Sequence, residues 1–253
     1  MITPVKIYND HQALSQEVSK LIVLQVSEKP ASVLCLAAGD TPREAYNLLR
    51  QLASEGKADF STCTFIGLDE WVGIPPENEG SCAFFLHTNI FSPMRIAPSQ
   101  VHLFNALSRE PAMECRKMDE YIRQVGGIDL MLVGVGMNGH IGFNEPGVRE
   151  DLDAHVVDLD ETTQSVGQKY FKEKTTLLKG VTLGFRSIMQ SRKVIMMASG
   201  KKKADIIQRA LEGPITTEVP ASLIRRHPQN LIMLDRDAAS FLEGGRHEGR
   251  GMD

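Results

Sequence analysis

The chain has 253 residues, of which 42% are hydrophobic and 24% are charged, and its formal net charge is −4. A chain of this length and composition can bury the core of one large domain. The acidic balance argues against a nucleic-acid or anionic-lipid partner, which requires a basic surface. No apolar run approaches the roughly 18 residues that span a bilayer, so no membrane segment is predicted.

The four cysteines form no CxxC pair, and Cys35 and Cys63 lie in apolar runs that resemble strands. We therefore expect buried free thiols, which are typical of a reducing cytoplasm. The N-terminal residues MITPVKIYNDHQ lack a basic segment followed by an apolar one, so no export signal is predicted.

Short runs rich in Val, Ile and Leu recur between longer stretches with helical spacing. The predicted strands are residues 32–36, 64–68, 129–133, 193–198 and 230–234, and the predicted helices are residues 42–52, 82–91, 110–125, 202–211 and 221–226. Continuous apolar strands are typical of a parallel sheet covered by helices on both faces. The pattern therefore predicts an α/β fold.

No repeat or linker interrupts the chain, which predicts a single domain over residues 1–243. Residues 151–167 are polar and match no element clearly. The glycine-rich residues 244–253, GGRHEGRGMD, predict a disordered tail.

The first predicted strand is followed by AAGDTPREAY. Thr41 is a suitable N-cap, Pro42 suits the first helical position, and Glu44 completes a capping box. A helix start of this kind exposes N–H groups that favour a phosphate, although it is equally explained as a well-capped helix. Asp40 would repel a phosphate unless its side chain points away.

The second predicted strand leads into Asp69, Glu70 and Trp71. Adjacent side chains on an extended segment face opposite ways, so only one carboxylate is expected to face a site. A carboxylate among apolar residues has a raised pKa and can abstract a carbon-bound proton. The alternative is a structural carboxylate that caps a turn or pairs with a lysine.

The third predicted strand is followed by GVGMNGHIGFNEPG. A dinucleotide-binding GxGxxG should open a helix, and Pro146 argues against one, so we reject that interpretation. Glycines let a backbone approach a ligand closely. We expect Glu145 to hold His140 in one tautomer and Asn138 to fix its ring, which leaves the other ring nitrogen for proton transfer.

A later predicted strand ends at Ser199-Gly200-Lys201-Lys202-Lys203. Lysines oppose the dipole at a helix N-terminus, so this cluster indicates either a bound anion or a solvated surface run.

Together these segments resemble the glucosamine-6-phosphate deaminase (isomerase) family over roughly residues 30–240. AGDTP is similar to the family's TGGTP-type phosphate loop, LDEWVG to its LDEYVG, and GVGMNGHIGFNEPG to its GxGxNGHIGFNEPG. The resemblance implies a modified doubly wound, Rossmann-like sheet and chemistry that uses no metal or organic cofactor. The related 6-phosphogluconolactonases have LFP in place of FNEP and DER in place of DEW, which favours the deaminase branch.

The resemblance also implies roles for individual residues. Asp69 would move a proton between C2 and C1 of the open-chain sugar, and His140 would open the pyranose ring with the help of Asn138 and Glu145. The implied phosphate-binding residues are Gly39, Asp40, Thr41, Lys169 and Lys203. Lys169 stands where family members commonly have arginine, and a lysine lacks the bidentate guanidinium fork.

The implied reaction converts an aminohexose 6-phosphate to a ketohexose 6-phosphate and ammonia. Trp71 and the segment Gly80-Ser81-Cys82 are closer to the galactosamine-6-phosphate branch, so the C4 configuration of the substrate stays open. His155 and Val157 stand where hexameric bacterial members have basic allosteric residues, so allosteric activation is not expected, while a homo-oligomer is compatible with the resemblance. Two alternatives remain: a phosphosugar lactonase with His140 as base, and a phosphosugar sensor without catalysis.

Overall fold

Ten strands form two sheets within residues 5–243, the part of the chain that the computed structural model describes. They are β1 Val5–Tyr8, β2 Val33–Leu36, β3 Thr64–Ile66, β4 Asp69–Trp71, β5 Val101–His102, β6 Leu130–Val133, β7 His155–Asp158, β8 Lys179–Thr182, β9 Val194–Ala198 and β10 Asn230–Asp235. The larger sheet is parallel throughout, in the order β1-β10-β9-β6-β2-β3-β5. The smaller sheet is antiparallel, in the order β4-β8-β7.

Seven α-helices lie between these strands in the described chain. They are α1 His11–Glu28, α2 Arg43–Ser54, α3 Cys82–Leu86, α4 Pro111–Gln124, α5 Glu161–Gly167, α6 Phe185–Gln190 and α7 Ala204–Glu212. A π-helical turn, His87–Phe91, continues α3, and a 3₁₀ helix, Pro220–Arg226, precedes β10. Within residues 5–243 no helix combines the length and apolarity needed to cross a membrane.

The two faces of the parallel sheet are both covered by helices. Val33 and Cys35 of β2 belong to a buried cluster with residues of α4, α6 and α7. Leu34 and Leu36 belong to a second cluster with residues of α1, α2 and α3. Successive side chains of a strand point to opposite faces, so a strand covered on both sides must be apolar at every position. The predicted α/β fold with a mostly parallel sheet is confirmed, and the four cysteines are buried free thiols.

Several element predictions need correction. The predicted strand at residues 64–68 ends at Ile66, and the chain then enters the second sheet as β4. The predicted helix at residues 221–226 is a 3₁₀ helix, and residues 82–91 change from α to π geometry. Residues 151–167, which matched no element, contain β7 and the whole of α5. The predicted tail at residues 244–253 lies outside the described residues.

The order of the strands creates a crevice between β2 and β6. From β2 the chain passes through α2 to β3 on one side, whereas β6 lies beside β9 and β10 on the other side. When the loops after two neighbouring parallel strands run in opposite directions, a gap opens between them. Open α/β sheets bind ligands at such a switch point.

Candidate active site

A cavity of about 470 Å³ lies at the carboxyl ends of the central strands. Its walls come from the segments that follow β2, β3, β6 and β9, together with part of α5 and the 3₁₀ turn Gln168–Tyr170. The predicted site residues that line it are Gly39, Asp40, Thr41, Asp69, His140, Lys169 and Lys203. The other two predicted residues lie behind His140. Asn138 contacts the backbone of His140, and Glu145 contacts its ring.

Asp69 is the first residue of β4 and faces the cavity beside Leu68, Trp71 and Phe143. Burial among these groups raises the pKa of Asp69 to about 7, against a hydrogen bond with Cys82 that lowers it. Ionising a carboxylate in an apolar environment is unfavourable, which explains why the pKa of Asp69 is raised. A carboxylate with a pKa near neutrality can both accept and return a proton.

Glu70 points to the opposite side of the strand and is 3% exposed. Its carboxylate accepts hydrogen bonds from the backbone N–H groups of Trp71, Cys82 and Ala83 at 2.7–2.9 Å. These contacts tie β4 to the start of α3, so Glu70 is a structural group and Asp69 is the carboxylate that meets the cavity.

The loop after β6 brings His140 to the same cavity. A Cβ atom on Gly136 would overlap Cε1 and Nε2 of the His140 ring, so the ring packs directly on the glycine backbone. Gly142 has φ +57°, and a Cβ there would clash with Thr182 and approach Oδ2 of Asp69. Glycines at these two positions therefore allow the loop to pass close to both candidate proton-transfer groups.

The Nδ1 atom of His140 is held by two side chains. It lies 3.0 Å from Oγ1 of Thr163 and 3.4 Å from Oε2 of Glu145. These contacts leave Nε2 as the ring nitrogen for exchange with a ligand. Thr163 was missed by sequence reasoning, because it lies on α5 in the stretch that matched no element.

Asn138 does not contact the His140 ring, which corrects the expectation that it fixes the ring directly. Its Nδ2 donates to Oε2 of Glu145 at 2.9 Å and to Oδ1 of Asp160 at 3.2 Å. Its Oδ1 accepts from the backbone N–H of His140 at 3.2 Å. Asn138 therefore orients Glu145 and the loop, and it acts on the ring only through them.

Glu145 is buried yet ionised. Burial on its own would raise the pKa of Glu145, but hydrogen bonds from His140, Thr163 and Asn138 and the charge of His140 lower it below its usual value. The ionised carboxylate is therefore held beside Nδ1 of His140.

The loop after β2 forms the opposite end of the cavity. Gly39 has φ +117°, which a residue with a side chain rarely adopts, and α2 begins at Arg43. The predicted capping box is wrong: Pro42 is the N-cap residue, no side chain caps the helix, and Glu44 accepts from Asn47 instead. The exposed N–H groups of this turn are consequently not taken by a side-chain cap.

From the sequence, we expect the Asp40 side chain to point away from a bound phosphate. Asp40 instead lines the cavity at the loop after β2. Its carboxylate lies 2.9 Å from Nζ of Lys169 and 3.1 Å from a guanidinium nitrogen of Arg43. Burial alone would raise the pKa of Asp40, but hydrogen bonds from these two cations lower it below its usual value. Arg43 was missed by sequence reasoning, although it follows Pro42 directly at the helix start.

Lys203 is the member of the lysine cluster that lines the cavity, whereas Lys201 and Lys202 are exposed. Its Nζ donates to the carbonyl of Val135 at 2.6 Å. Burial, with the charge of Lys169, lowers the pKa of Lys203 to about 8. An anion in the cavity would restore the full charge of this lysine.

In residues 5–243 no group of three or more His, Cys, Asp and Glu side chains is arranged to hold a metal ion. The arrangement of the cavity is an acid–base pair at one end and cationic side chains with a helix start at the other.

Comparison with known proteins gives a consistent result. A family model described as "Glucosamine-6-phosphate isomerases/6-phosphogluconolactonase" matches residues 9–233. The glucosamine-6-phosphate deaminase of Thermoanaerobacter pseudethanolicus is 38% identical over 234 residues, which cover 92% of each chain. That of Halothermothrix orenii is 38% identical over 239 residues, which cover 94% of this chain and 99% of the relative.

Solved structures agree with the sequence relatives. A monomeric glucosamine-6-phosphate deaminase has a TM-score of 0.91 and 32% identity, covering 94% of this chain and 100% of the other. The 6-phosphogluconolactonase of Trypanosoma brucei has a TM-score of 0.76 at 20% identity, covering 95% and 98%. The second likeness concerns the fold alone.

Proposed function

The chain belongs to the glucosamine-6-phosphate isomerase/6-phosphogluconolactonase family, and we propose that it converts an aminohexose 6-phosphate and water to a ketohexose 6-phosphate and ammonia. One observation carries the proposal: Asp69 and His140 line the same cavity as residues 39–41 and Lys203. One cavity therefore contains both the groups proposed for proton transfer and the groups proposed for phosphate binding. The relatives named glucosamine-6-phosphate deaminases support the substrate class.

In the proposed mechanism, His140 first exchanges a proton with the ring oxygen and opens the pyranose. Nε2 performs this exchange, because Thr163 and Glu145 engage Nδ1. The negative charge of Glu145 stabilises the imidazolium that forms when the ring nitrogen takes up a proton.

Asp69 then takes the proton from C2, the electrons of the C–H bond form the C1=C2 double bond of an enolamine, and the carbonyl electron pair moves to O1, which takes a proton from water. Return of a proton to C1 gives a ketiminium at C2, which water hydrolyses to the ketone and ammonia. A base with a pKa of about 7 suits both directions of this transfer.

The phosphate end would hold the substrate while these protons move. Residues 39–41 and the start of α2 offer backbone N–H groups, and Lys169 and Lys203 offer positive charge. Phosphates bind at helix starts because the free N–H groups and the helix dipole both favour an anion.

Ammonia release from glucosamine 6-phosphate and galactosamine 6-phosphate tests the proposal. We expect Asp69→Asn to lower kcat by about 10²–10⁴-fold, the usual contribution of a positioned base. Asp151→Asn is the matched control, because Asp151 pairs with Arg149 on the exposed surface. If neither amino sugar phosphate yields ammonia, the proposed reaction is wrong.

Hydrolysis of 6-phosphogluconolactone is the discriminating measurement for the lactonase alternative, which would use His140 to activate water. A ligand that stabilises the protein without any product would instead identify a sensor.

The finer parts of the proposal concern the epimer, the assembly and the compartment. The two substrates above decide the C4 configuration. The solved relative is described as monomeric, which favours a monomer over a homo-oligomer, and light scattering would measure this. The buried free thiols support a reducing compartment such as the cytoplasm, to be checked by fluorescence of a tagged chain.

A further inference from the structure

Arg43 lies at the phosphate end of the cavity and has no role in the reaction described above. It is the first residue of α2, lines the cavity, and has a side chain that is 47% exposed. Its guanidinium lies 4.8 Å from the centre of the Phe85 ring and contacts Oδ1 of Asn89 at 3.5 Å. The packing on Phe85 restricts the side chain to the cavity wall, where a cation stacked on an aromatic face is stabilised.

At the phosphate end of the cavity, the Asp40 carboxylate forms ion pairs with both Arg43 and Lys169. One carboxylate oxygen contacts Arg43 at 3.1 Å and the other contacts Lys169 at 2.9 Å, although the two cations are far apart in the chain. The carboxylate side chain is 56% exposed, so the pairs are screened by solvent and can be exchanged.

The charge at this end is unbalanced. Arg43, Lys169 and Lys203 are the Lys and Arg side chains among the described residues that line the cavity, and Asp40 is the carboxylate that contacts two of them. A carboxylate offers one charge and two oxygens. A phosphate dianion offers two charges and three oxygens, and a guanidinium binds such a group with two parallel hydrogen bonds.

We propose that Arg43 is a phosphate-binding residue of this cavity and that Asp40 holds Arg43 and Lys169 in position until a phosphate replaces its carboxylate as their partner. The inference rests on the proposed function in taking the ligand to be a phosphosugar. It goes further by naming a guanidinium that supplies the bidentate contact and a carboxylate that competes with the ligand.

Direct binding of inorganic phosphate, measured by calorimetry, tests the role of Arg43 without requiring turnover. Arg43→Gln is expected to weaken phosphate binding and raise KM about five- to tenfold, with kcat changed less than twofold. Arg43→Lys keeps the charge and loses the fork, so an intermediate loss is expected. Arg50→Gln is the matched control, because Arg50 is on the same helix and contacts Asn47 instead of the cavity.

Asp40→Asn tests the competing carboxylate. Removing its charge removes repulsion of the phosphate, so phosphate affinity is expected to rise about threefold at low salt and less at high salt. Weaker phosphate binding in this variant would show that Asp40 does not compete, and would overturn that half of the proposal.

The outcomes separate this inference from the proposed function. If ammonia is released but Arg43→Gln has the KM and phosphate affinity of the unmodified protein, the role of Arg43 is wrong and the proposed reaction stands. If phosphate binding depends on Arg43 while no amino sugar phosphate is deaminated, the reaction is wrong and the role of Arg43 stands. Absence of phosphate binding by the unmodified protein would overturn the inference. Equal melting temperatures of the variants exclude misfolding as the cause.

Discussion

His140 and Glu145 form a pair in which Nδ1 of the ring lies 3.4 Å from Oε2 of the carboxylate. The pair is completed by Thr163 at 3.0 Å from the same nitrogen and by Asn138, which holds the carboxylate at 2.9 Å. The ring is therefore oriented directly by Thr163 and Glu145 and indirectly by Asn138, and its Nε2 is left for exchange with a ligand.

Glu145→Gln keeps the shape of the side chain and removes its charge. The imidazolium of His140 then loses its nearest anion, so kcat/KM for ammonia release should fall about 10- to 100-fold. Glu150→Gln is a control, because Glu150 pairs with Arg226 away from the cavity. Equal rates for the two variants would show that Glu145 has no influence on the ring.

Thr163→Val removes one hydrogen bond to Nδ1 from a side chain that is 4% exposed. We expect kcat to fall about fivefold and KM to stay unchanged, since the ring loses orientation and the phosphate end is untouched. Thr163→Ser restores the hydroxyl and should recover most of the rate. Failure of serine to restore it would indicate a packing defect instead.

Gly136→Ala places a methyl group where the His140 ring packs. Displacement of the ring should lower kcat/KM at least tenfold, because a shift of about 1 Å in a catalytic group is costly. Steady-state kinetics of Gly136→Ala measure this, and an unchanged kcat/KM would contradict the importance of the packing between the glycine and the ring.

The pH dependence of kcat/KM for ammonia release should be bell-shaped. Asp69 must be ionised to accept the C2 proton, so kcat/KM should rise with pH through about 7. Lys203 must be protonated to bind phosphate, so kcat/KM should fall above about 8. Lys203→Arg stays charged and should move the alkaline limb upward. An unchanged alkaline limb in that variant would exclude Lys203 as its source.

Asp69→Asn should stabilise the fold at pH 8 while it slows the reaction. The folded pKa of about 7 lies above the ordinary 3.8, so stability from this group is complete below pH 3.8 and is lost as pH rises toward 7. Removing the ionised carboxylate should add about 4 kcal/mol, or roughly 8–16 °C in Tm. Thermal unfolding at pH 8 and pH 4 measures this stabilisation. An equal rise in Tm at both pH values would contradict ionisation of Asp69 as its cause.

The central strands and the loops that follow them were predictable from the sequence. Residues 130–133 are apolar at every position because both faces of β6 are buried, and the next loop needs glycines where the backbone approaches the His140 ring. The edge strand β1 and the small sheet were not predicted. The residues of β1 and β7 are exposed or half-buried, whereas β4 and β8 are short and mostly buried. Pairing with distant strands is what makes all four segments strands.

The apolar strands alone determined the fold class, because burial on both faces of a strand leaves a local pattern. The family resemblance of the segments LDEWVG and GVGMNGHIGFNEPG named Asp69 and His140 as candidate proton-transfer residues, whereas the local pattern left open which of Asp69 and Glu70 faces the site. Only the tertiary structure decided which side chains surround Asp69 and His140. Thr163 reaches His140 because β8 pairs with β4 and β7 pairs with β8, which brings α5 over the cavity. Asp40 meets Lys169 across 129 positions of the chain, and Arg43 joins them from the start of α2. Contacts between segments so far apart depend on the packing of whole elements, which no local pattern encodes.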